Sequence, residues 1–388
     1  MKVIKLKPIR VLQVMGSLNS GGSQSLVMNL YRNIDRSKVQ FDFVIDKNNE
    51  LFYQKEIESM GGIIYQLKNI KECSFTKYCK QWNEFFSNHS EYLIIHGHLR
   101  STAAIYLKIA KKRGLITIAH SHSTASRGNK IECMVKNIMQ IPIRYIADYL
   151  FACSYDSGRW LYGKKAIKNE NFVIINNSID SCEYLYDENK RNELRRKLNL
   201  ESKYVIGHVG SFTYPKNHEF LINIFYEIQK SNKDTVLLLI GDGELKKNIV
   251  EQVYRLKIND KVIFTGVVSN VKDYMQIMDV FVFPSIFEGL PVTLIEAQAM
   301  GLPCIISNKI TSEVILTSLV KVLGLNNTSD WTSLILHTKV SENRKSYNEL
   351  IKNSQYDIDK STLWIQNFYI EQFKNKIDNG ESKEIYKH

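Results

Sequence analysis

The chain has 388 residues, of which 44% are hydrophobic and 24% charged. These proportions are typical of globular proteins and exclude a disordered or low-complexity chain. The 52 Lys and Arg residues against 40 Asp and Glu give a net charge of +12, which favours contact with phosphates, anionic lipid or nucleic acid.

The sequence predicts a cytoplasmic protein that does not cross a membrane. No stretch approaches the about 18 apolar residues of a spanning helix, and residues 1–10 alternate basic with apolar residues without the apolar core of a signal peptide. The six cysteines contain no C-x-x-C pair, so we expect buried free thiols rather than disulfides or a zinc site; they are Cys73, Cys79, Cys133, Cys153, Cys182 and Cys304.

In the first 175 residues, β-rich runs alternate with amphipathic helical segments. The predicted strands are 10–15, 40–45, 92–95, 115–119 and 150–152, and the predicted helices are 22–34, 102–112 and about 131–147. This alternation predicts a parallel sheet covered by helices on both faces.

A stretch of turn-forming residues, 176–181, and a charged helical segment, 188–198, are typical of a linker. The pattern then restarts, with predicted strands 204–209, 236–240, 262–264, 280–283 and 304–306. We therefore predict two doubly wound α/β domains, 1–180 and 181–360. Apolar residues at helical spacing in 361–377 predict a final helix, within 361–388, that docks on the rest of the chain.

Ligands of open α/β sheets bind beyond the carboxyl ends of the strands, and paired glycines follow the first predicted strand. Gly21 and Gly22 allow backbone amides at a helix N-terminus to approach an anion or a sugar. A tight strand-to-helix turn explains the pair equally well. The sequence contains neither a G-x-G-x-x-G fingerprint nor a P-loop, which argues against NAD enzymes and P-loop NTPases.

Two H-x-H units, His96-Gly97-His98 and His120-Ser121-His122, stand at the ends of neighbouring predicted strands. Parallel pairing would bring these imidazoles together at the binding edge. No carboxylate accompanies them, so a polar substrate contact is favoured over a zinc site. Packing or capping is the alternative for His96 and His120.

The second half contains two further candidate segments. Lys216, in the loop 210–218, would stand beside a helix N-terminus where it can neutralise a diphosphate, although a solvated surface lysine is the ordinary alternative. Glu288 lies in a loop after a strand, and Glu296 lies in the apolar helix that follows. A ligand's hydroxyl groups are one partner for such a carboxylate; a loop charge and an internal salt bridge are the alternatives.

Glu288 and Glu296 form an E-x7-E pattern within Glu288-Gly289-Leu290-Pro291 to Glu296-Ala297. Together with the Gly21-Gly22 turn, the His122 strand end and Gly241-Asp242-Gly243-Glu244, this order resembles retaining glycosyltransferase family 4, in particular the bacterial capsular and exopolysaccharide transferases. The resemblance extends over essentially the whole chain. It implies the GT-B fold, in which two Rossmann-like domains face each other across a cleft and the C-terminal helix crosses back to the N-terminal domain.

The resemblance also implies residue roles. The N-terminal domain would bind the acceptor, and the C-terminal domain would bind a nucleotide sugar, taken here as a UDP-sugar. Glu296 would bind the ribose, Lys216 the diphosphate, and Glu288 with the amides of Gly289 and Leu290 the transferred sugar. From the N-terminal domain, Gly21 and Gly22 would approach the diphosphate or the sugar, and His122 would lie near the anomeric carbon.

One position departs from the family pattern. The family usually has an Arg where this chain has Ser211, so the diphosphate loses a bidentate cation. Lys216 with helix amides, or another basic residue, would have to suffice; otherwise transfer is impaired.

The expected reaction needs no metal cofactor, since the departing diphosphate oxygen would take the acceptor's proton on the same face, and no D-x-D motif stands at a suitable strand end. The expected acceptor is a polyprenyl-diphosphate-linked saccharide. Residues 108–168 carry twelve Lys and Arg against three acidic residues, interleaved with apolar side chains. This stretch favours peripheral attachment to anionic inner-leaflet lipid, and a solvated face over a core helix is the alternative.

Three other functions fit part of the pattern. A nucleotide-sugar epimerase of the same fold would act without an acceptor. A non-catalytic partner subunit of a transferase would explain Ser211. Nucleic-acid binding is the general alternative for a basic protein, but the sequence contains no helix-turn-helix, RNP or zinc-finger pattern.

Overall fold

The computed structural model describes residues 7–19, 21–46, 52–123, 126, 129–288, 290–341 and 343–378. The chain divides into two compact units. Unit 1 consists of Met1–Ser178 and Ile358–His388, and unit 2 of Ile179–Asp357. Each unit is built on one sheet whose strands are all parallel, as the alternation of strands and helices predicts.

The strands of the described residues follow in chain order. They are β1 (Ile9–Met15), β2 (Val39–Asp46), β3 (Ile64–Leu67), β4 (Ile94–Gly97), β5 (Ile116–Ser121), β6 (Tyr149–Ala152), β7 (Phe172–Ile174), β8 (Tyr204–Val209), β9 (Thr235–Ile240), β10 (Val262–Gly266), β11 (Val280–Phe283), β12 (Cys304–Ser307) and β13 (Val320–Leu323). The sheet of unit 1 has the order β3-β2-β1-β4-β5-β6-β7, and the sheet of unit 2 has the order β10-β9-β8-β11-β12-β13.

The helices of the described residues connect these strands. They are α1 (Gly22–Asn33), α2 (Gln54–Ser59), α3 (Phe75–Asn88), α4 (Ala103–Lys112), α5 (Lys130–Gln140), α6 (Ile143–Ile146), α7 (Tyr155–Ala166), α8 (Glu188–Lys197), α9 (His218–Ser231), α10 (Lys246–Arg255), α11 (Val271–Gln276), α12 (Val292–Ala299), α13 (Thr328–His337), α14 (Ser346–Lys352) and α15 (Ile358–Asp378). No helix among the described residues combines the length and the apolar character needed to cross a bilayer.

Both sheets are covered on their two faces, so each unit is a three-layer α/β/α sandwich. In unit 1 the inward residues alternate along β1: Val11 packs in one apolar cluster and Leu12 in the other. In unit 2 the same alternation divides β11, where Phe281 and Val282 belong to opposite clusters. Burial of both faces explains why the strands read as nearly continuous apolar runs.

The last helix, α15, packs on unit 1. Ile365, Phe368 and Tyr369 join the apolar cluster that contains the β1 residue Val11. The expected return of the C-terminal helix to the N-terminal domain is therefore confirmed. A hydrogen bond at its edge also holds the helix, because the hydroxyl of Tyr149 donates to the side-chain oxygen of Gln372 at 2.7 Å.

The strand order sets where each unit can bind a ligand. In both sheets the direction of winding reverses between two adjacent central strands, β1 and β4 in unit 1 and β8 and β11 in unit 2. At such a reversal the connecting loops part, which leaves a crevice beyond the carboxyl ends of the strands. Every predicted site segment follows one of these strands or a neighbour.

Two detailed expectations need correction. The single helix expected over about 131–147 is two helices, α5 and α6, because Pro142 lacks the backbone N–H that would continue α5. None of the six cysteines, which all lie among the described residues, forms a disulfide, but only Cys153 and Cys304 are buried, and Cys182 is exposed.

Candidate functional site

The loops after β8 and β11 meet at the reversal point of unit 2. The Ile286 amide donates to the Pro215 carbonyl at 2.8 Å, and the Asn217 side chain donates to the Pro284 carbonyl at 3.1 Å. Asn217 is left-handed, with φ 56°, a conformation that asparagine tolerates better than most residues. These contacts fix Lys216 and Glu288 on facing loops.

Lys216 and Glu288 form an ion pair of 2.8 Å, and only 17% and 14% of their side chains are exposed. The Lys216 ammonium also lies 4.6 Å from the ring centroid of Phe283. A cation held this far from water favours an anionic partner. The pair thus offers one positive group and one hydrogen-bond acceptor within a single loop crevice.

Close backbone approach shapes the same edge. Gly241 has φ +138°, and a Cβ there would lie 2.1 Å from the Gly210 carbonyl oxygen. The Phe212 amide donates to the Asp242 carbonyl at 3.0 Å. A side chain at Gly241 would push the loops after β8 and β9 apart, so glycine is required there.

Glu296 lies on α12 with its carboxylate turned into unit 2. The Tyr184 hydroxyl donates to its Oε1 at 2.8 Å. Burial raises the pKa of Glu296 to about 7, although the Tyr184 bond lowers it. Among the described residues no Lys, Arg or His forms the internal salt bridge considered for Glu296, and its partner there is the neutral Tyr184 hydroxyl. Tyr184, 112 residues away in sequence, is a site residue that the sequence pattern did not reveal.

The remaining predicted residues of unit 2 lie near this edge or in the core. Ser211 is exposed, and its hydroxyl lies 3.3 Å from that of Thr213. Leu290 is buried in the core of unit 2, and Gly289 lies outside the described residues. Lys246, on the next loop and helix, is paired with Asp242 at 2.6 Å.

In unit 1 the paired glycines begin helix α1. Gly21 is its N-cap in an extended conformation, and no acidic residue stands in the first turn. A Cβ on Gly22 would have no heavy atom within 4 Å. There is room beside Gly22 for the expected approach of an anion or a sugar, whereas a Cβ on Gly21 would lie 2.7 Å from Gln24 Oε1.

The two H-x-H units are brought together at the carboxyl ends of β4 and β5, as parallel pairing predicts. His98 Nδ1 lies 2.7 Å from His122 Nε2, and His96 Nε2 lies 3.1 Å from His120 Nδ1. Burial, together with Arg100, lowers the pKa of His122 to about 3, and burial lowers the pKa of the other three well below the usual value. All four imidazoles are neutral at pH 7, which fits His122 as an orienting group rather than a strong base.

Each unit carries polar groups at its own edge. Unit 2 presents an ammonium, a carboxylate that needs hydroxyl partners and loops lined by backbone. Unit 1 presents the N-terminus of α1 and neutral imidazoles. These are the groups that bind phosphate and sugar hydroxyls.

Comparison with known proteins agrees with this geometry. Residues 190–357 match the family model described as "Glycosyl transferases group 1". EpsF of Bacillus subtilis, a glycosyltransferase by name, is 33% identical over 309 residues, covering 79% of this chain and 80% of EpsF. An Escherichia coli protein named UDP-Gal:alpha-D-GlcNAc-diphosphoundecaprenol alpha-1,3-galactosyltransferase is 26% identical over 226 residues, covering 56% of this chain and 58% of that protein.

The fold agrees as well. The crystal structure of Anabaena HepE in complex with UDP and glucose superposes with a TM-score of 0.76 at 16% identity, covering 94% of this chain and 100% of HepE. With two Rossmann-like units and a last helix that returns to the first unit, the fold is GT-B. The chain belongs to the group 1 glycosyl transferases.

Proposed function

We propose that this protein is a retaining glycosyltransferase that moves a hexose from a UDP-sugar to a polyprenyl-diphosphate-linked saccharide during capsular or exopolysaccharide synthesis. The observation that carries the proposal is the placement of Lys216, Glu288 and Glu296 around the reversal point of unit 2. The printed name of the Escherichia coli relative supports the donor and acceptor classes.

In this proposal the ligand takes over existing interactions in unit 2. A diphosphate competes with Glu288 for the ammonium of Lys216, now 2.8 Å from the carboxylate. Glu288, once released, accepts hydrogen bonds from hydroxyls of the transferred sugar, and Glu296 accepts them from the ribose. Charge-assisted bonds of this kind are shorter and stronger than neutral ones.

The transfer step relies on positioning and electrostatics. The bond between the anomeric carbon and the diphosphate oxygen breaks, the acceptor hydroxyl attacks from the same face, and its proton passes to the departing oxygen. Lys216 and the helix amides stabilise the negative charge that develops on this oxygen. The step as proposed uses no metal cofactor.

Titration calorimetry tests the nucleotide assignment directly. The native chain should bind UDP in preference to GDP and NAD. Glu296→Gln and Lys216→Met should each weaken UDP binding about tenfold or more, the typical loss for a hydrogen bond to a charged group. Glu251→Gln, which alters an exposed glutamate of α10, is the matched control and should bind UDP normally.

The same preparations separate transfer from the two rivals. Radiolabelled UDP-sugars with a lipid-linked saccharide should give labelled lipid product, whereas an epimerase converts the UDP-sugar without acceptor. Absence of nucleotide binding would contradict the proposal and, with Ser211 in place of arginine, would favour a non-catalytic partner subunit that copurifies with an active transferase.

We also propose that helix α5 and the adjacent α6 attach the protein to the cytoplasmic face of the membrane. The apolar face of α5 points outward: Ile131 is 72% exposed and Ile138 59%, while Gln140 is the buried residue of this helix. Tyr145 of α6 is 78% exposed. The excess of basic residues in 108–168 complements anionic headgroups.

Vesicle sedimentation at moderate salt tests this attachment. The native chain should sediment with phosphatidylglycerol vesicles and remain in the supernatant with phosphatidylcholine vesicles. The double variant Ile131→Ser/Ile138→Ser should lose sedimentation. Val267→Ser, which removes an equally exposed apolar residue of unit 2, is the control, and failure of the native chain to sediment would contradict the attachment.

A further inference from the structure

Hydrogen bonds connect the four-histidine cluster to the core of unit 1. This cluster consists of His96, His98, His120 and His122. The rings stack on one another, with centroids 4.3 Å apart for His96 and His98 and 4.1 Å apart for His120 and His122. The Tyr369 hydroxyl of helix α15 lies 2.7 Å from His96 Nδ1. The cluster therefore joins two strand ends to the last helix.

A glutamine in β1 decides which ring nitrogens carry hydrogen. Gln13 Oε1 lies 2.9 Å from His98 Nε2, and a carbonyl oxygen only accepts, so the hydrogen of neutral His98 is on Nε2. Its Nδ1 then has a free lone pair and accepts from His122 Nε2 at 2.7 Å. His122 is left with an unprotonated Nδ1.

The other end of the same amide, Gln13 Nε2, is a buried donor without a hydrogen-bond partner among the described residues. His122 Nδ1 is a buried ring nitrogen without a hydrogen-bond partner among the described residues, so it remains available to accept from a ligand. Gln13 is only 1% exposed, which keeps water from replacing its side-chain oxygen. If the Gln13 amide were reversed, every hydrogen in this chain of bonds would shift and His122 Nδ1 would become a donor.

A metal site is the competing interpretation of the cluster. One ring nitrogen each of His96, His98 and His120 lies within 4.8 Å of the other two. A zinc ion, however, needs ring nitrogens that all point at it, each with a Zn–N distance of about 2.0–2.1 Å. The ring nitrogens instead face hydrogen-bond partners: His96 Nε2 lies 3.1 Å from His120 Nδ1, and His98 Nε2 lies 2.9 Å from Gln13 Oε1. Hydrogen bonding fits this geometry better.

We propose that Gln13 is a positioning residue that, through His98, holds His122 in the Nε2–H tautomer and leaves Nδ1 as an acceptor for a substrate hydroxyl. The tautomer follows from the hydrogen bonds with Gln13 Oε1 facing His98 Nε2. Its use on substrate rests on the proposed function, in which His122 lies near the transferred sugar. Fixing a tautomer in advance removes a reorganisation cost from the reaction.

The test is long-range proton–nitrogen NMR of the full-length chain labelled with ¹⁵N-histidine. The His122 signals are identified by their loss in His122→Asn. We expect native His122 to show a pyrrole-type Nε2 and a pyridine-type Nδ1. Gln13→Met, which keeps the length of the side chain but removes its oxygen, should convert these signals to those of a tautomer mixture. Gln40→Met alters a buried glutamine of β2 that bonds the Met60 carbonyl instead and should leave the His122 spectrum unchanged.

Three results would overturn the inference: a native His122 protonated on Nδ1, a His122 spectrum insensitive to Gln13→Met, or stoichiometric Zn²⁺ binding that His96→Asn abolishes. A kinetic readout connects it to catalysis, since Gln13→Met should lower kcat about tenfold with the donor KM unchanged within about twofold. The NMR result does not depend on activity. If no transfer is found but the tautomer is as assigned, the proposed function fails and the positioning of His122 stands.

Discussion

Glu296→Gln should stabilise unit 2 even though it impairs ligand binding. The pKa of Glu296 rises from 4.5 to about 7 because the carboxylate is buried. At about 1.36 kcal/mol per pKa unit, the folded state resists ionisation by up to about 3 kcal/mol relative to the unfolded chain. Below pH 4.5 Glu296 is protonated in both the folded and the unfolded state, so no stability is lost. Stability then falls as pH rises from 4.5 to 7 and stays at its lower value above pH 7.

Glutamine stays neutral throughout and can still accept the hydroxyl of Tyr184. Scanning calorimetry of the full-length chain at pH 8 should show the Glu296→Gln transition of unit 2 roughly 6 to 12 °C above the native one, and the difference should fall to about a quarter of that at pH 5. Tyr184→Phe is the matched variant. It removes the bond that lowers the Glu296 pKa, so it should cost more stability at pH 8 than at pH 5.

The reasoning would be refuted by equal transitions of Glu296→Gln and native protein at pH 8, or by a difference that persists unchanged at pH 5. Equal transitions would mean that Glu296 is solvated and ionised in the folded chain, and a difference that persists at pH 5 would mean that the gain does not come from ionisation. The expected gain in stability also bears on ligand binding. A carboxylate that costs the free protein about 3 kcal/mol when ionised is stabilised when ligand hydroxyls donate to it.

Three further outcomes follow from the packing. Gly301→Ala should destabilise unit 2 by more than about 2 kcal/mol in urea unfolding, because φ is +62° and the new Cβ would lie 2.3 Å from the Arg344 carbonyl oxygen; Gly114→Ala, with φ +82° but only a lysine side-chain end nearby, should cost about 1 kcal/mol. Asp279→Asn should cost about 3 kcal/mol by the same measurement, since it leaves the buried Arg195, now 3.1 Å from the carboxylate, without a counter-charge. Acid should destabilise unit 1, because the histidines of the four-histidine cluster have pKa values below 6.5 in the folded state. The free energy of unfolding should be constant above pH 6.5 and should fall below it by up to about 5 kcal/mol per pH unit. Circular dichroism against pH would measure this slope, and His120→Gln should reduce it by the contribution of about one proton.

Strands that are buried along almost their whole length were predictable, and partly buried ones were not. Strands β8 and β11 have the bounds expected from their apolar runs. By contrast, β3, β7 and β13 have three or four residues each and only partly buried patterns, so their existence depends on neighbouring strands rather than on local sequence. Helix α3 was also missed, although Ser74 caps it through the Lys77 amide, a signal that is present in the sequence.

The positions of the site residues were predictable from the sequence, but the contacts between these residues were not. Lys216 and Glu288 are 72 residues apart, and their ion pair depends on the adjacency of β8 and β11. The partners of the buried groups were out of reach for the same reason: Tyr184 precedes Glu296 by 112 residues, and Tyr369 follows His96 by 273. Local patterns identify a strand end, whereas the sheet order decides which strand ends meet.

Unit 1 is discontinuous in sequence, and this has a consequence for biosynthesis. Its sheet is complete at Ser178, yet the helix that covers Val11 and hydrogen-bonds His96 begins only at Ile358. On the ribosome, the whole of unit 2 therefore emerges while the part of the first sheet that α15 covers is still exposed. Unit 1 should therefore complete its folding last, after α15 has been synthesised. A premature stop before α15 would release a protein with an intact second unit and an apolar surface that recruits chaperones.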